Sequence, residues 1–237
     1  MNRTLEWNNQ ECGISVTAGS VTLKGNLGVP EGAKGVVLFA HGSGSSRHSP
    51  RNRYVAQVLR QRQLATLLID LLTQSEEAID RRTRHLRFDI GLLAPRLIDA
   101  TEWLNQHPAT RNLKVGYFGA STGSAAALVA AAERPDAVSA IVSRGGRPDL
   151  AGSALSRVRA PTLLIVGGND IPVIGMNQEA LAQLRTEKQL EIIPGATHLF
   201  EEPGALEKVA ELASQWFNRY LTTADEQNPH LHRAPVG

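Results

Sequence analysis

The stretch that decides the fold is KVGYFGASTGSAAAL, residues 114–128. An apolar run that favours a β-strand ends in Gly119-Ala120-Ser121-Thr122-Gly123, and an alanine-rich run that favours a helix follows at once. The pattern G-x-S-x-G at a strand–helix junction predicts a sharp turn with the serine at its apex, where the two glycines let strand and helix pass closely. The alternative is a tight turn whose serine only caps the helix. We favour the first interpretation because the rest of the chain supplies partners for the serine hydroxyl.

The overall composition predicts a globular protein and does not indicate that it binds nucleic acid or an anionic membrane. The chain has 237 residues, of which 42% are hydrophobic and 20% charged, and this suits one α/β domain with a sizeable core. The formal net charge of +2 is too small to indicate binding to nucleic acid or to an anionic membrane. The single cysteine, Cys12, excludes an intrachain disulfide, and we expect it to be a small buried residue. Residues 1–7 carry no apolar signal region and no apolar run could span a bilayer, so we expect a cytoplasmic protein.

Strand and helix patterns alternate from residue 11 onward. Apolar and polar residues alternate in two short stretches of residues 11–28, one on each side of Ala18-Gly19-Ser20. This pattern predicts an antiparallel hairpin. Apolar runs typical of strands follow at 35–40, 65–70, 113–118, 138–142, 161–166 and 190–193. Helical spacing covers 54–59, 90–103, 124–132, 178–184 and 206–220, and Pro95 predicts a kink or a later start in the second of these. The order predicts an α/β fold in which residues 1–221 form one domain, with a mostly parallel twisted sheet, an N-terminal antiparallel hairpin and helices on both faces. The polar, proline-bearing residues 222–237 predict a disordered tail.

Polar residues follow several of the predicted strands at the edge where such sheets bind ligands. Ser121 follows the strand at 113–118, Asp170 follows the strand at 161–166, and His198 follows the strand at 190–193. A fourth loop, HGSGSS at 41–46, follows the strand that ends at Ala40. Because a serine hydroxyl needs an adjacent base and an orienting acid, this set predicts a nucleophile, an acid and a general base at one edge of the sheet.

These four motifs resemble those of the α/β-hydrolases, and more narrowly those of the small, single-domain dienelactone-hydrolase-like group. The resemblance covers about residues 11–221 and implies an α/β-hydrolase fold, with Ser121 as nucleophile, Asp170 as acid and His198 as base. Dienelactone hydrolase itself has a cysteine at the elbow, where this chain has Ser121, so the resemblance implies no particular substrate. The group also includes domains joined to phosphoribosyltransferases in longer chains, although no residue of this chain indicates such a partner.

An oxyanion formed by attack on a carbonyl needs backbone donors. One predicted donor is the N–H of Thr122, directly after the nucleophile, and the second comes from the loop at 41–46, with Ser43 as first choice and Gly44 in reserve. We expect His41 to pack or hydrogen-bond in that loop and so to shape the oxyanion hole. No metal-ligand spacing appears, and residues 42–44 lack the lysine of a phosphate loop, so we predict no metal and no cofactor.

Each member of the predicted triad has a structural alternative. Asp170 could cap the segment that Pro172 opens, and His198 could be an ordinary loop histidine. The reserve acids, Glu201 and Glu202, follow the histidine so closely that we expect them to begin the last helix.

Arginines gather near the predicted catalytic edge despite the small net charge. Four candidates follow strands there: Arg47, Arg51, Arg144 and Arg147. We expect one or two of them to bind a carboxylate or phosphate on an anionic small-molecule substrate. The alternative, that they are solvated or pair with Asp70 and Asp149, stays equally open. The polar stretch 73–88 is either a partial lid or a solvated excursion, and its modest length favours an open cleft and small substrates.

The leading function is a serine hydrolase that cleaves a small carboxylic ester, lactone or thioester through an acyl-enzyme. The same triad supports an acyltransferase or a peptidase, and the sequence does not separate them. A non-catalytic binding protein on this fold is the alternative from another class, but such proteins usually lose a triad member and this chain has all three. We predict no nucleic-acid or membrane partner, and the sequence does not define an oligomeric state.

Overall fold

Eight strands form one sheet in the computed structural model, which describes residues 11–222. The strands are β1 (Glu11–Ala18), β2 (Val21–Gly28), β3 (Gly35–Ala40), β4 (Leu64–Ile69), β5 (Val115–Ala120), β6 (Ala140–Arg144), β7 (Thr162–Gly167) and β8 (Lys188–Ile193). The α-helices are α1 (Pro50–Gln61), α2 (Gln74–Thr83), α3 (Ile90–Gln106), α4 (Thr122–Glu133), α5 (Ile171–Gln183) and α6 (Ala205–Leu221). Two 3₁₀ segments, Leu86–Phe88 and Pro148–Arg157, complete the regular structure of the described part.

The strand order is β1-β2-β4-β3-β5-β6-β7-β8. β2 runs antiparallel to both β1 and β4, and the remaining neighbours, from β4 through β8, are parallel. Helical crossovers between parallel strands cover both faces, and for this reason β3, β4, β5 and β7 are buried along their whole length. The arrangement confirms the predicted α/β fold with a mostly parallel sheet and an antiparallel N-terminal hairpin.

The sheet separates two apolar cores, and neighbouring residues of β5 show how. Tyr117 packs in the core beneath α3 and α4, whereas Phe118 packs in the core beneath α1 and α6, because successive side chains of a strand point to opposite faces. Both rings are fully buried, and burial of each contributes about 1.5–3 kcal/mol. The Tyr117 hydroxyl is 2.6 Å from the Thr101 hydroxyl, and burial raises the pKa of this tyrosine. The central strand that leads to Ser121 is therefore held rigidly from both sides.

Three local predictions differ from the structure. α3 starts at Ile90 and runs through Pro95, so the later start that was one of two predicted alternatives is wrong, and Pro95 only lacks an N–H to donate to the carbonyl one turn earlier. α5 begins at Ile171, well before the predicted start near 178. Cys12 is exposed, because β1 lies at the edge of the sheet and its first half is open to solvent. The predicted tail, residues 222–237, lies outside the described residues except for Thr222, and the prediction of one domain over 1–221 stays a prediction. Within residues 11–222 no helix has the length and apolarity needed to cross a membrane.

Candidate active site

Ser121 occupies the sharp junction between β5 and α4. Its backbone has φ 51° and ψ −122°, a region that residues other than glycine rarely adopt and that costs about 1–3 kcal/mol. A Cβ on Gly119 would lie 2.5 Å from the Cα of Ser124, and a Cβ on Gly123 would lie 2.2 Å from the carbonyl oxygen of Ala40. Neither distance is sterically allowed. The two glycines are therefore required for β5, α4 and the end of β3 to approach one another at this turn.

Backbone hydrogen bonds hold the strained turn in place. The N–H of Ser121 donates to the carbonyl of Arg144 at 3.2 Å, and the N–H of Arg147 donates to the carbonyl of Ser121 at 3.1 Å. Both partners belong to the end of β6 and the loop after it. Among the hydrogen bonds of residues 11–222, none involves the Ser121 hydroxyl, and its half-buried side chain stays available at the edge of the sheet.

Asp170 and His198 come together from the loops after β7 and β8. The Asp170 Oδ2 lies 2.6 Å from the His198 Nδ1, although the two residues are 28 positions apart in sequence. Since a carboxylate accepts, Nδ1 carries the proton and donates it, and this leaves Nε2 with its lone pair. The carboxylate is 13% exposed and the imidazole 39%, so the acid is shielded while the ring faces solvent. The pair has the orientation that a base and its orienting acid require.

The imidazole lies at the same end of the sheet as Ser121. A Cβ on Gly145 would lie 3.5 Å from the His198 Cε1, and Gly145 directly follows the residue whose carbonyl binds the Ser121 N–H. No hydrogen bond joins the Ser121 hydroxyl to His198 in the described part of the chain. Such bonds are often long in free enzymes and tighten when substrate binds.

The reserve acids have other partners. Glu202 accepts from the N–H of Thr197 at 3.0 Å and from its hydroxyl at 2.6 Å, and these bonds lower the pKa of Glu202. Glu201 pairs with Arg51 at 3.2 Å. Both residues precede α6, which begins at Ala205, so the expectation that they begin the last helix is wrong. Glu202 instead braces the loop that carries His198.

The predicted oxyanion donors line one cavity of about 170 Å³. Ser43, Gly44 and Thr122 all border it. Thr122 is the first residue of α4, so its N–H has no acceptor within the helix. The backbone N–H groups of Ser43 and Gly44 donate to no other backbone group of residues 11–222. Residues whose backbone N–H groups have no backbone acceptor therefore line this cavity from the loop after β3 and from the start of α4.

His41 fixes the base of the oxyanion loop. Its Nε2 accepts from the N–H of Leu71 at 3.0 Å, so Nδ1 carries the proton and donates to the carbonyl of Gly42 at 2.9 Å. Burial lowers the pKa of His41, which keeps the ring neutral in this arrangement. The ring thus ties the loop after β3 to the loop after β4, in agreement with the structural role expected from the sequence.

The stretch 73–88 forms one wall of the same cavity. Its residues Glu77, Asp80, Arg81 and Arg87 line the cavity opposite the oxyanion loop, and Leu71, Leu72 and Leu93 supply apolar surface. The Arg87 Nε donates to the Asp80 carboxylate at 2.6 Å, and its Nη1 would lie 3.3 Å from a Cβ on Gly44. Burial alone would raise the pKa of Asp80, but the hydrogen bonds and charge of Arg87 outweigh it and the net pKa is lowered. Part of the segment thus forms a wall of the cavity, while most of its other residues are exposed to solvent.

Sequence reasoning offered residues 73–88 as a partial lid but did not identify which of them line the cavity. A usable signal was the spacing of Thr73 and Glu76, which forms a capping box at the start of α2. This signal predicts a helix at 74–83 but does not show which way the helix faces. Among residues 11–222 no cluster of His, Cys, Asp or Glu has an arrangement that could hold a metal ion.

The four candidate arginines divide into two pairs. Arg47 contacts Asp70 through its guanidinium and donates its backbone N–H to the same carboxylate at 2.7 Å. Arg147 forms a two-pronged bond with Asp149 at 2.7 and 2.9 Å. These are the two carboxylate pairings that the sequence left open as an alternative to substrate binding.

Arg144 and Arg51 have fewer partners. Arg144 is buried beside Phe200, with its guanidinium carbon 5.7 Å from the ring centre, and no carboxylate of residues 11–222 lies within ion-pair distance of it. Burial first, and then the like charge of Arg51, lower the pKa of Arg144 to about 10. Whether either arginine binds substrate stays a prediction at this point.

Comparisons with known proteins identify the family. The model of the Dienelactone hydrolase family matches residues 25–226. A dienelactone hydrolase from Anabaena variabilis has a crystal structure with 73% sequence identity and a TM-score of 0.88, and the match covers 90% of this chain and 98% of that one. A Mycobacterium tuberculosis protein named "Putative phosphoribosyl transferase" is 61% identical over 208 residues, which are 88% of this chain but 46% of that protein. This chain therefore spans about half the length of the curated relatives that it matches.

More distant structures agree on the fold. An α/β serine hydrolase without a lid from Xanthomonas campestris has 18% identity and a TM-score of 0.71, with 91% of this chain and 97% of that chain covered. At this identity the likeness concerns the fold alone. Together with the family match over most of its length, these likenesses show that the chain has the α/β-hydrolase fold and belongs to the dienelactone hydrolase family.

Proposed function

We propose that the protein is a serine hydrolase that cleaves a small carboxylic ester, lactone or thioester through an acyl-enzyme. Ser121 is the nucleophile, His198 the general base and acid, and Asp170 the orienting acid. The observation that carries the proposal is the 2.6 Å contact between the His198 Nδ1 and the Asp170 carboxylate, at the sheet edge where the Ser121 turn lies. A merely structural serine would not need a backbone conformation that costs free energy.

The chemistry follows from these positions. The Ser121 oxygen attacks the substrate carbonyl while its proton passes to the free Nε2 of His198, and the Asp170 carboxylate stabilises the imidazolium. The tetrahedral oxyanion accepts hydrogen bonds from the N–H of Thr122 and from that of Ser43, with Gly44 as the reserve donor. Collapse breaks the bond to the leaving group, which takes the proton from Nε2. Water, deprotonated by His198, then attacks the acyl-Ser121 ester and releases the carboxylic acid.

The cavity limits the acyl group to a small one. Its volume of about 170 Å³ and its leucine surface suit a short acyl chain or a small lactone ring. The wall formed by α2 and the segment after it closes the cavity opposite the oxyanion loop. We do not propose the transferase activity named for the Mycobacterium relative, because this chain covers 46% of that protein and itself matches the Dienelactone hydrolase family. The cytoplasmic location predicted from the sequence stays a prediction.

A fluorophosphonate probe tests the proposal directly, because it modifies a serine that an adjacent base activates. We expect the wild-type protein to be labelled at Ser121, the Ser121→Ala variant to be unlabelled, and the His198→Ala variant to be labelled at least about 10²-fold more slowly. His107→Ala, which removes a histidine outside the site, is the matched control and should leave labelling unchanged. Labelling that persists in Ser121→Ala, or full hydrolysis of 4-nitrophenyl butyrate by that variant, would show that another residue is the nucleophile.

A further inference from the structure

Asn177 is a polar residue on the buried side of a helix. The buried residues of α5 are Val173, Asn177 and Ala180, which lie on one side of the helix at its natural spacing. Asn177 is 0% exposed, and its Oδ1 is buried with no hydrogen-bond partner among residues 11–222. Burial of an unpaired polar atom is unfavourable, whereas an apolar side chain of similar size would pack here without that penalty. The stability of the fold alone therefore does not account for the amide.

The amide of Asn177 binds a loop of the active site. Its Nδ2 donates to the carbonyl of Gly146 at 3.1 Å. Gly146 lies in the chain just after β6, where the backbone binds the Ser121 turn twice. The carbonyl of Arg144 accepts from the Ser121 N–H, and the N–H of Arg147 donates to the Ser121 carbonyl. Asn177 therefore holds the loop that in turn holds the strained backbone of the nucleophile.

Asn177 also belongs to the helix that begins at the proposed acid. Asp170 directly precedes α5, and Asn177 lies about two turns, or roughly 10 Å, further along the helix. Because hydrogen bonds join successive turns, this part of α5 moves as one body, and the position of Asn177 determines that of Asp170. The Asp170 carboxylate is 2.6 Å from the His198 Nδ1. The contact with Gly146 thus connects the acid and the base to the turn of the nucleophile.

The packing around Gly146 leaves this connection little freedom. A Cβ on Gly146 would lie 2.0 Å from the Ser143 Oγ and 2.6 Å from the Ser124 Oγ, so the loop packs directly on β6 and on the first turn of α4. α4 is the helix that follows Ser121. Gly146 is therefore the point at which the loop after β6, α4 and α5 meet.

We propose that Asn177 is a positioning residue, whose hydrogen bond to Gly146 sets the distance between the Ser121 turn and the Asp170–His198 pair. The inference rests on the proposed hydrolase function. Since Asn177 is fully buried, it acts through the loop after β6 and through α5, and not on the substrate itself. A misplacement of reacting groups by about 1 Å can slow a reaction about 10²-fold. Loss of the hydrogen bond should therefore slow the chemical step and leave substrate binding nearly unchanged.

Two substitutions remove this hydrogen bond in different ways. Asn177→Leu keeps the size of the side chain but has no donor. Asn177→Ser is too short to reach Gly146, and its hydroxyl can donate to the carbonyl of Val173 in the same helix. We expect each variant to lower kcat for 4-nitrophenyl butyrate by about 10–100-fold, with KM within about twofold of the wild type. Labelling by the fluorophosphonate should slow by a similar factor, and Tm should fall by about 2–8 °C.

Leu184→Ala is the matched control, because Leu184 is also buried and directly follows the other end of α5. Truncation of this leucine should lower Tm at least as much as either Asn177 variant does, but it should leave kcat within about twofold of the wild type. If kcat instead falls in step with Tm in all three variants, Asn177 is merely structural and the inference is overturned. Failure of both Asn177 variants to fold would overturn it too, because the fold itself would then need the amide.

Ser121→Ala separates a failure of this inference from a failure of the proposed function. If Ser121→Ala still hydrolyses the ester, the proposed hydrolase function is wrong. If Ser121→Ala is inactive but both Asn177 variants keep the kcat of the wild type within about twofold, only the positioning role is wrong. A higher KM with unchanged kcat would also overturn that role, because it would place the effect of Asn177 on substrate binding.

Discussion

Replacing Arg144 by methionine should make the protein more stable. Methionine keeps the length and apolar stem of the side chain, and these can still pack against Phe200. The substitution removes a charge that is 6% exposed and has no counter-ion among residues 11–222. Replacing a buried ion by an apolar residue of similar volume is often stabilising.

The magnitude follows from the surroundings of the guanidinium. Burial lowers the pKa of Arg144 to about 10, and a shift of this size corresponds to a penalty of about 3 kcal/mol on the charged form. The variant loses the interaction with the face of Phe200, which contributes about 0.5–2 kcal/mol. The free energy of unfolding should therefore rise by about 1–2 kcal/mol. For a domain of this size that corresponds to a Tm higher by about 2–8 °C.

Urea unfolding followed by far-ultraviolet circular dichroism measures this change, and an unchanged m value would show that the variant unfolds in the same way. The matched control is Arg134→Met at an exposed ion pair, where we expect a change within about 0.5 kcal/mol. A loss of stability of more than about 1 kcal/mol in Arg144→Met would refute the reasoning, because it would mean that the free protein already compensates the charge.

The remaining predictions concern the acid, the elbow and the wall of the site. Asp170→Asn should lower kcat about 10⁴-fold with little change in Tm, because the amide cannot hold the tautomer of His198, and a kcat within tenfold of the wild type would contradict this role. Gly123→Ala should lower the free energy of unfolding by about 3 kcal/mol or more, since its Cβ would lie 2.2 Å from a carbonyl oxygen, and an unchanged melting curve would be the contrary result. Hydrogen bonds and charge from Arg96 lower the pKa of Glu76 to about 2, so the pair stabilises the folded state above the ordinary carboxyl pKa and loses this effect as the pH falls toward about 2. Glu76→Gln should therefore lower the free energy of unfolding by about 1–2 kcal/mol near neutral pH. Urea titrations should show that the difference in this free energy between variant and wild type becomes smaller in acid, and a larger difference would contradict the prediction.

The sequence predicted the elements of the site that depend on local chemistry. The turn at Ser121 needs glycine at two fixed positions, and this need is visible in the pattern itself. Asp170 and His198 could be found because parallel strands end at one edge, so the residues that follow them meet there whatever lies between. The mostly parallel sheet follows from the alternation of apolar runs and helical spacing.

The sequence did not predict which charged side chains form ion pairs with one another. Arg47, Arg147 and Arg144 have the same side chain and lie at or after the ends of strands, yet the first two pair with a carboxylate and Arg144 does not. The distances between oppositely charged side chains result from tertiary packing, and the periodicity of the sequence does not predict them. The orientation of α2 is hidden for the same reason, because a helix with polar residues on most of its surface does not reveal its buried side.

The order in which the site residues occur along the chain has a consequence for synthesis. Ser121, the proposed nucleophile, follows β5 in the middle of the sheet, whereas its proposed base, His198, follows β8, the last strand of the described part. A ribosome-bound chain that has emerged only as far as β7 can form the strained turn but has no imidazole to ionise the hydroxyl. If the proposed triad is correct, we expect stalled nascent chains to resist the fluorophosphonate until residues beyond 198 leave the exit tunnel.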